Sequence, residues 1–375
     1  MAVTGDDVAP ARKRRATITD VAQRAGVSKG LVSFVLNDRP GVAPATRERI
    51  LTAVRELDWR PSQAARSLTN DRAYAMGFVL ARPADLLAVD PFFPAFIAGA
   101  EAELSARNSS LVLQVVRDVE AELATYRRLG ADNRVDGVLV ADLRVDDLRP
   151  VALAEMGLPA VTLGRPDGVR AGPAVVLDDA PGVVAAVDHL ADHGHERIAF
   201  VGGPDVFLHA RHRRDAWRTT LERRGLAHDD GFEIDGDFSG ASGATAMARL
   251  LATGDSDRPT AVLFANDLMA IAGIAEAQRH GCRIPEDMSV VGFDDIAVAA
   301  HIHPSLTTVA QDAVAWGRAA TRAVFDLVEN GKASDVELRP ARLVVRESTA
   351  RAPAPARPGR RRSPSTMGTP SKEKQ

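Results

Sequence analysis

The apolar positions of this chain follow two rhythms. Between residues 17 and 57 they fall three and four apart: Ile18, Val21, Ala22 and Ala25, then Leu31, Val32, Val35 and Leu36, then Ile50, Leu51, Val54 and Leu57. That spacing gives each set one face of a short helix. From Tyr74 onward they form unbroken runs separated by helix-like segments: MGFVLA, SLVLQVV, DGVLVAD, PAVTLG, AVVLDD, RIAFVGG, TAVLFAN and MSVVGFDD. Such runs mark parallel strands covered on both faces. Their number and spread suit two similar α/β halves better than one large sheet.

Within the first segment, Thr19 is expected to cap the first helix, with Asp20 at its positive end and Gly26 closing it. Gly26, Val27 and Ser28 form a tight turn in which Ser28 caps a second helix, Lys29 to Asn37, and Val27 packs on Val32. A third helix is predicted over Thr46–Leu57, behind Pro44. Two short helices joined by a glycine turn and backed by a third read as helix-turn-helix. The second helix leaves Lys29, Gly30, Ser33 and Phe34 outside, and a Phe facing water needs a reason.

Charge supplies part of one. The whole chain carries −3, yet residues 11–70 hold twelve Lys and Arg, RKRR at 12–15 among them, against five acids. A basic head on an acidic body suits a polyanion partner at one end. A solvated basic face would explain the charge, but not the spacing of Ala22, Gly26, Val27, Ser28 and Val32. The single cysteine, Cys282, permits no intramolecular disulfide and fits a reducing, cytoplasmic setting. No apolar run reaches the roughly 18 residues of a membrane span, so no membrane partner is expected. No GxGxxG follows a strand, and GKAS at 331–334 lacks the glycine spacing of a phosphate loop. The pairs His193/His195 and His301/His303 have no suitably spaced carboxylates, so they read as surface or core histidines before metal ligands. Neither a catalytic constellation nor a cofactor is expected.

TITDVAQRAGVSKGLVSFVLN (17–37) and VAPATRERILTAVRELDWRPSQAARSL (42–68) resemble the LacI/GalR family of bacterial transcription regulators almost position by position. The resemblance continues through RVDGVLV, DHGHERIAFVGG, RPTAVLFANDLMAIAGI, RIPEDMSVVGFDD and HPSLTTV, to about residue 346. It implies a flexible basic arm (1–16), a helix-turn-helix headpiece (17–60), a hinge helix (61–70), and a periplasmic-binding-protein-like body of two Rossmann-like lobes (73–346). A disordered Pro/Arg-rich tail (347–375) would follow. The implied partners are a pseudo-palindromic double-stranded DNA operator, a small effector, with a sugar foremost, and a second copy of the chain. The tail has no leucine heptads, which favours a homodimer over a larger coiled-coil assembly.

Carried over by position, the DNA-contacting residues would be Thr17, Thr19, Ser28, Lys29, Gly30, Ser33, Phe34 and Asn37, with Ala65 and Leu68 from the hinge, Leu68 as a minor-groove wedge. Lys29 can donate to guanine, whereas Gly30 has no side chain and Phe34 offers only apolar contact, such as to a thymine methyl. Ala43 stands where the family often has a helix-capping Ser or Thr. The effector pocket would take Arg213 and Asp294 as polar clamps, Asn266 and Gln311 as further polar contacts, and Phe92, Phe93 and Phe238 as stacking rings. A surface role for Arg213, a turn cap for Asp294 and core packing for the Phe residues remain alternatives. Gly164 replaces an acid and Phe207 a polar group seen in some members, so no relative's effector can be copied. The expected function is a repressor-type DNA-binding regulator under effector control, its rivals a sugar-binding transport protein and a sugar-modifying enzyme.

Overall fold

The computed structural model describes residues 16–60, 72–169, 171–227, 229–254 and 257–354. These form two compact units divided after Tyr74. The basic arm, the hinge helix with Ala65 and Leu68, and the chain beyond 354 lie outside the described residues.

The first unit holds α1 (Ile18–Ala25), α2 (Lys29–Leu36) and α3 (Pro44–Glu56) around Val21, Ala22, Ala25, Val32, Val35, Ile50, Ala53 and Trp59. Thr17, not Thr19, caps α1. Its backbone is extended, and it forms a reciprocal capping box with Asp20, whose carboxylate accepts from the Thr17 N–H at 2.7 Å and from its hydroxyl at 2.8 Å. Gly26 ends the helix at φ 64°, the left-handed conformation that a residue without Cβ adopts freely. Ser28 caps α2, accepting from Leu31 N–H. The third helix starts two residues earlier than the pattern implies because Pro44 occupies its first turn, and Ala43 supplies no side-chain cap. Its inner face uses Ala53 rather than Leu51, which is exposed.

The second unit runs β1 (Ala75–Ala81), α4 (Ala84–Val89), α5 (Phe92–Ala106), β2 (Ser110–Val116), α6 (Val119–Ala131), β3 (Gly137–Val140), α7 (Arg149–Glu155), β4 (Ala160–Leu163) and β5 (Ala174–Val176). It continues with α8 (Ala180–Asp192), β6 (Ile198–Gly202), α9 (Leu208–Arg224), β7 (Glu233–Asp235), α10 (Gly240–Leu251), β8 (Ala261–Phe264), α11 (Asp267–Arg279), β9 (Ser289–Asp294) and β10 (Thr307–Ala310). Last come α12 (Ala313–Asn330), β11 (Val336–Glu337) and β12 (Arg342–Val344). One sheet, β11-β5-β4-β3-β1-β2, is parallel throughout; the other, β12-β10-β9-β8-β6-β7, is parallel except for β12. All eight runs named above are strands. The pattern missed β7, β10, β11 and β12, which are two to four residues long and include three sheet edges.

The chain leaves the first lobe after β5, returns after β10, and crosses again after β11. Helix α12 therefore packs on the first lobe, close against α5. An added Cβ on Gly317 would lie 2.0 Å from Phe96 O, and one on Gly99 2.1 Å from Val314 O, so both glycines set that approach. Residues 347–354, which composition assigns to the disordered tail, are packed instead. Ser348 is fully buried, donates to Val290 O and accepts from Thr307 N–H, while Ala350 O bonds the His195 ring. Backbone and hydroxyl hydrogen bonds hold a segment whose composition alone looks polar.

Candidate functional site

On the headpiece, the start of α2 is the exposed feature. Lys29, Gly30, Phe34 and Asn37 are exposed, as are Thr17 and Ser28, whereas Thr19 and Ser33 are partly covered. A helix start presents unpaired N–H groups and the positive end of a dipole, both suited to a phosphate. An added Cβ on Gly30 would meet nothing nearer than Ser28 Oγ at 3.8 Å, so packing does not demand glycine there. Phe34 is 43% exposed, with the Arg39 guanidinium 5.3 Å from its ring centroid. That cation is a feature the pattern missed; it keeps charge beside the apolar side chain. Asn37 Nδ2 donates to Ser33 O at 2.9 Å and to Ser33 Oγ at 3.3 Å, tying these two polar candidates together.

In the body, a cleft of about 610 Å³ gathers Phe92, Phe93, Arg213, Phe238, Asn266, Asp294 and Gln311, the full expected set. Arg213, from α9, is not a surface residue. Its Nε donates to Asp179 at 2.7 Å, Nη1 donates to Ala265 O at 2.7 Å, and the guanidinium carbon lies 3.6 Å from the Phe293 ring centroid. Asp294 ends β9 at φ 115° and accepts from the Gln311 amide at 2.5 Å. Burial raises its pKa well above the usual carboxylate range, against the pull of Arg213.

Asn266 lines the cleft as expected and also has a structural part. It caps α11 by accepting from Met269 N–H and donates one amide N–H to Phe238 O, both at 2.9 Å. Phe238 sits at φ 69°, rarely adopted by a bulky residue, with its ring against Gly203, where an added Cβ would lie 2.0 Å away. Phe93 is also part of the first lobe's core, which leaves Phe92 the more open ring.

The cleft also holds residues the sequence reading passed over: Arg82, Asp90, Asp142, Asp179, His209 and Trp316. Arg82 donates twice to Asp142, each bond 2.7 Å, and its guanidinium lies about 5 Å from the rings of Phe93, Phe207 and Phe238. Burial favours the neutral Asp142, but the Arg82 charge and hydrogen bonds win, lowering its pKa to about 2. Arg149 fixes the loop beneath by donating to Ala141 O and Asp142 O. Arg149 is itself buried between Glu122 and Asp147. His209 stacks between Phe207 and Phe238; burial, then Arg213, hold its pKa down to about 3, so the ring is neutral. Asp90 accepts from Phe92 N–H and is raised by burial.

Two acceptors of the cleft lack any protein partner among the described residues. Asp179 Oδ1 and Gln311 Oε1 are buried without a hydrogen bond, and both residues lie where the chain passes between lobes. Buried orphans of this kind call for donors from elsewhere. Across the mouth, Arg144 and Phe207 form an isolated antiparallel bridge joining the loops after β3 and β6.

Outside the cleft, His195 hydrogen-bonds Thr260 and Ala350 O, while His301 and His303 are exposed. Cys282 is half-buried, and burial raises its thiol pKa. No described helix is long and apolar enough to cross a membrane.

Comparison with known proteins places both units. Residues 17–62 match the lacI family of bacterial regulatory proteins, and residues 187–349 match the periplasmic binding protein-like domain. The HTH-type transcriptional regulator CelR of Thermobifida fusca is 37% identical over 345 residues, covering 90% of this chain and 99% of that one. A transcriptional regulator CelR–cellobiose complex aligns with TM-score 0.66 at 35% identity, over 89% of this chain and all of that one. The lac repressor dimer bound to operator and the anti-inducer ONPF aligns with TM-score 0.78 at 28% identity, over 90% of this chain and all of that one. The chain therefore belongs to the lacI family of bacterial regulatory proteins and is a DNA-binding transcription regulator, not an enzyme.

Proposed function

We propose that the protein is a cytoplasmic repressor that binds a pseudo-palindromic operator as a homodimer and changes its operator affinity when a sugar enters the cleft. The observation that carries the effector reading is the pair of buried, unpartnered acceptors, Asp179 Oδ1 and Gln311 Oε1, in a cavity walled by Phe92, Phe93, Phe238 and Trp316. Hydroxyls donate to such acceptors, and the apolar faces of a sugar ring stack on such walls. Arg213, whose Nε and Nη1 hold Asp179 and Ala265 O, lines the same cleft and can donate to a hydroxyl in return. Asn266 acts by holding Phe238.

The CelR relative seen with cellobiose and the lac repressor dimer seen on operator support the same reading. Lys29 and the start of α2 would meet base edges and phosphate, Phe34 a thymine methyl, and the hinge residues Ala65 and Leu68 the minor groove. Selection of bound sequences from random DNA, followed by fluorescence anisotropy with a panel of mono- and disaccharides, tests this. At least one sugar should shift operator affinity tenfold or more, and R213M should remove the shift. A panel in which no sugar changes operator affinity would overturn the effector reading.

A further inference from the structure

The cleft has more built-in acid than base. Asp90, Asp142, Asp179 and Asp294 face Arg82, Arg213 and a neutral His209. Each guanidinium already holds its own carboxylate, Arg82 with Asp142 and Arg213 with Asp179, at 2.7 Å in both cases. The other two carboxyls have only neutral donors as direct partners: Phe92 N–H for Asp90, at 3.0 Å, and the Gln311 amide for Asp294.

On the strength of the sugar reading above, we propose that this cleft selects an uncharged sugar and rejects phosphorylated or carboxylated ones, with Asp142 the specificity-determining residue that neutralises Arg82 in place. An anion entering here would find both guanidinium charges already paired with carboxylates. It could gain Arg82 only by breaking a two-point ion pair whose members are mostly buried, at 6% and 13% exposure. A neutral polyol meets no such obstacle and satisfies the orphan acceptors. The rings around Arg82 add to this, because they let a guanidinium sit in an apolar wall without an external counter-ion. Burial also moves Asp90 and Asp294 toward their protonated forms, in which they can donate to a hydroxyl as well as accept from one.

The test is isothermal titration calorimetry on the full chain with matched probes: cellobiose and glucose, their 6-phosphates, glucuronic acid and glucosamine, extended by any neutral sugar that shifts operator affinity. A neutral sugar should bind at least about tenfold more tightly than its anionic counterpart, the order of effect expected from one uncompensated charge in such a site. Asp142→Asn, which frees the Arg82 charge, should narrow that ratio about tenfold. An anionic sugar that binds as tightly as its neutral partner would overturn the proposal and leave the sugar reading intact; glucosamine, a cation among these carboxyls, should not share the anions' loss of affinity. Binding of no sugar at all would overturn both. An unchanged ratio in folded D142N would remove Asp142 from the role, and the wild-type comparison decides the charge preference even if the variant does not fold.

Discussion

The ion pair between Arg213 and Asp179 joins α9 to the segment entering α8, and its loss can be estimated. Both side chains are under 10% exposed, so the pair stands largely outside water. Arg213→Met keeps most of the volume but leaves Asp179 as a buried, uncompensated carboxylate, and it also removes the donor to Ala265 O and the cation over Phe293. Breaking one side of such a pair costs roughly 3–5 kcal/mol, and the lesser losses overlap with that figure rather than add to it. At about 2–4 °C per kcal/mol for a large domain, the body should melt roughly 10 °C lower. Asp179→Asn alone should likewise destabilise, because the guanidinium keeps its desolvation and loses its counter-charge. The double variant R213M/D179N should recover much of the loss, since neither charge then remains. Thermal melting of all four proteins gives the coupling energy, expected at about 2 kcal/mol or more. Additivity within about 0.5 kcal/mol would refute the pairing. Operator affinity without sugar should hold in every variant, because the headpiece has its own core of Val21, Val32, Ile50 and Trp59.

The remaining predictions concern the headpiece, acid sensitivity and the walls of the cleft. Operator affinity should fall by roughly 10³ between 50 and 200 mM salt if six or more phosphates are engaged, and Lys29→Ala should relax base preference at one position in each half-site; a flat salt profile would rule out the phosphate contacts. His209, held down to about 3, favours folding fully above its unfolded value of about 6.5 and loses that contribution as pH falls toward 3, whereas Asp142, at about 2, loses its own only below about 3.9. The buried carboxyls of Asp267 and Asp294, raised by burial, act in the opposite sense over the same range, so the readout is a difference: relative to His209→Gln, the wild type should lose up to about 1.4 kcal/mol of urea stability per unit as pH falls from 6.5 to 5, and equal slopes for the two proteins would refute the assignment. Asn266→Asp keeps the acceptor that caps α11 but replaces the donor to Phe238 O with a buried carboxylate oxygen, so both melting temperature and sugar affinity should fall, and a sugar affinity unchanged in the folded variant would refute the positioning role.

What could be read from the chain follows the physics of each signal. The long apolar strands and the glycine-ended helices announce themselves because burial on both faces and a left-handed cap constrain many neighbouring residues at once. Strands β11 and β12 do not, because two or three half-exposed residues carry no period. The cleft was legible where a motif names a residue, as with Arg213 in RRDAW or Asp294 in GFDD. It was illegible at Arg82 and Asp142, 60 positions apart in sequence and joined only by the pairing of β1 with β3. Asn266 shows the limit of position alone: its place at the cleft is as expected, but its hydrogen bonds to Phe238 and Met269 could not be read from the sequence. One signal was available for the misplaced α1 cap, since Thr17 and Asp20 stand three apart as a capping box requires.

Three of the strained backbone positions in the body fall at the cleft. Phe238, Asp294 and Asp142 all line the cleft with positive φ, and each is held by a neighbour: Asn266 on the Phe238 carbonyl, Gln311 on the Asp294 carboxylate, Arg149 on the Asp142 carbonyl. Such conformations cost of order 1–3 kcal/mol apiece and persist only when surrounding contacts over-determine them. The contacts that meet that cost are buried and come from elements of both lobes, so the geometry of the cleft depends on how well each lobe is packed. Asp179 and Gln311 depend on the junction as well, because they sit in the segments that pass between lobes. A ligand that fills their empty acceptors binds the two crossover segments and both lobes at once. Its binding energy is thereby spent on one relative placement of the lobes, which is the differential affinity between states that any change in a distant activity requires.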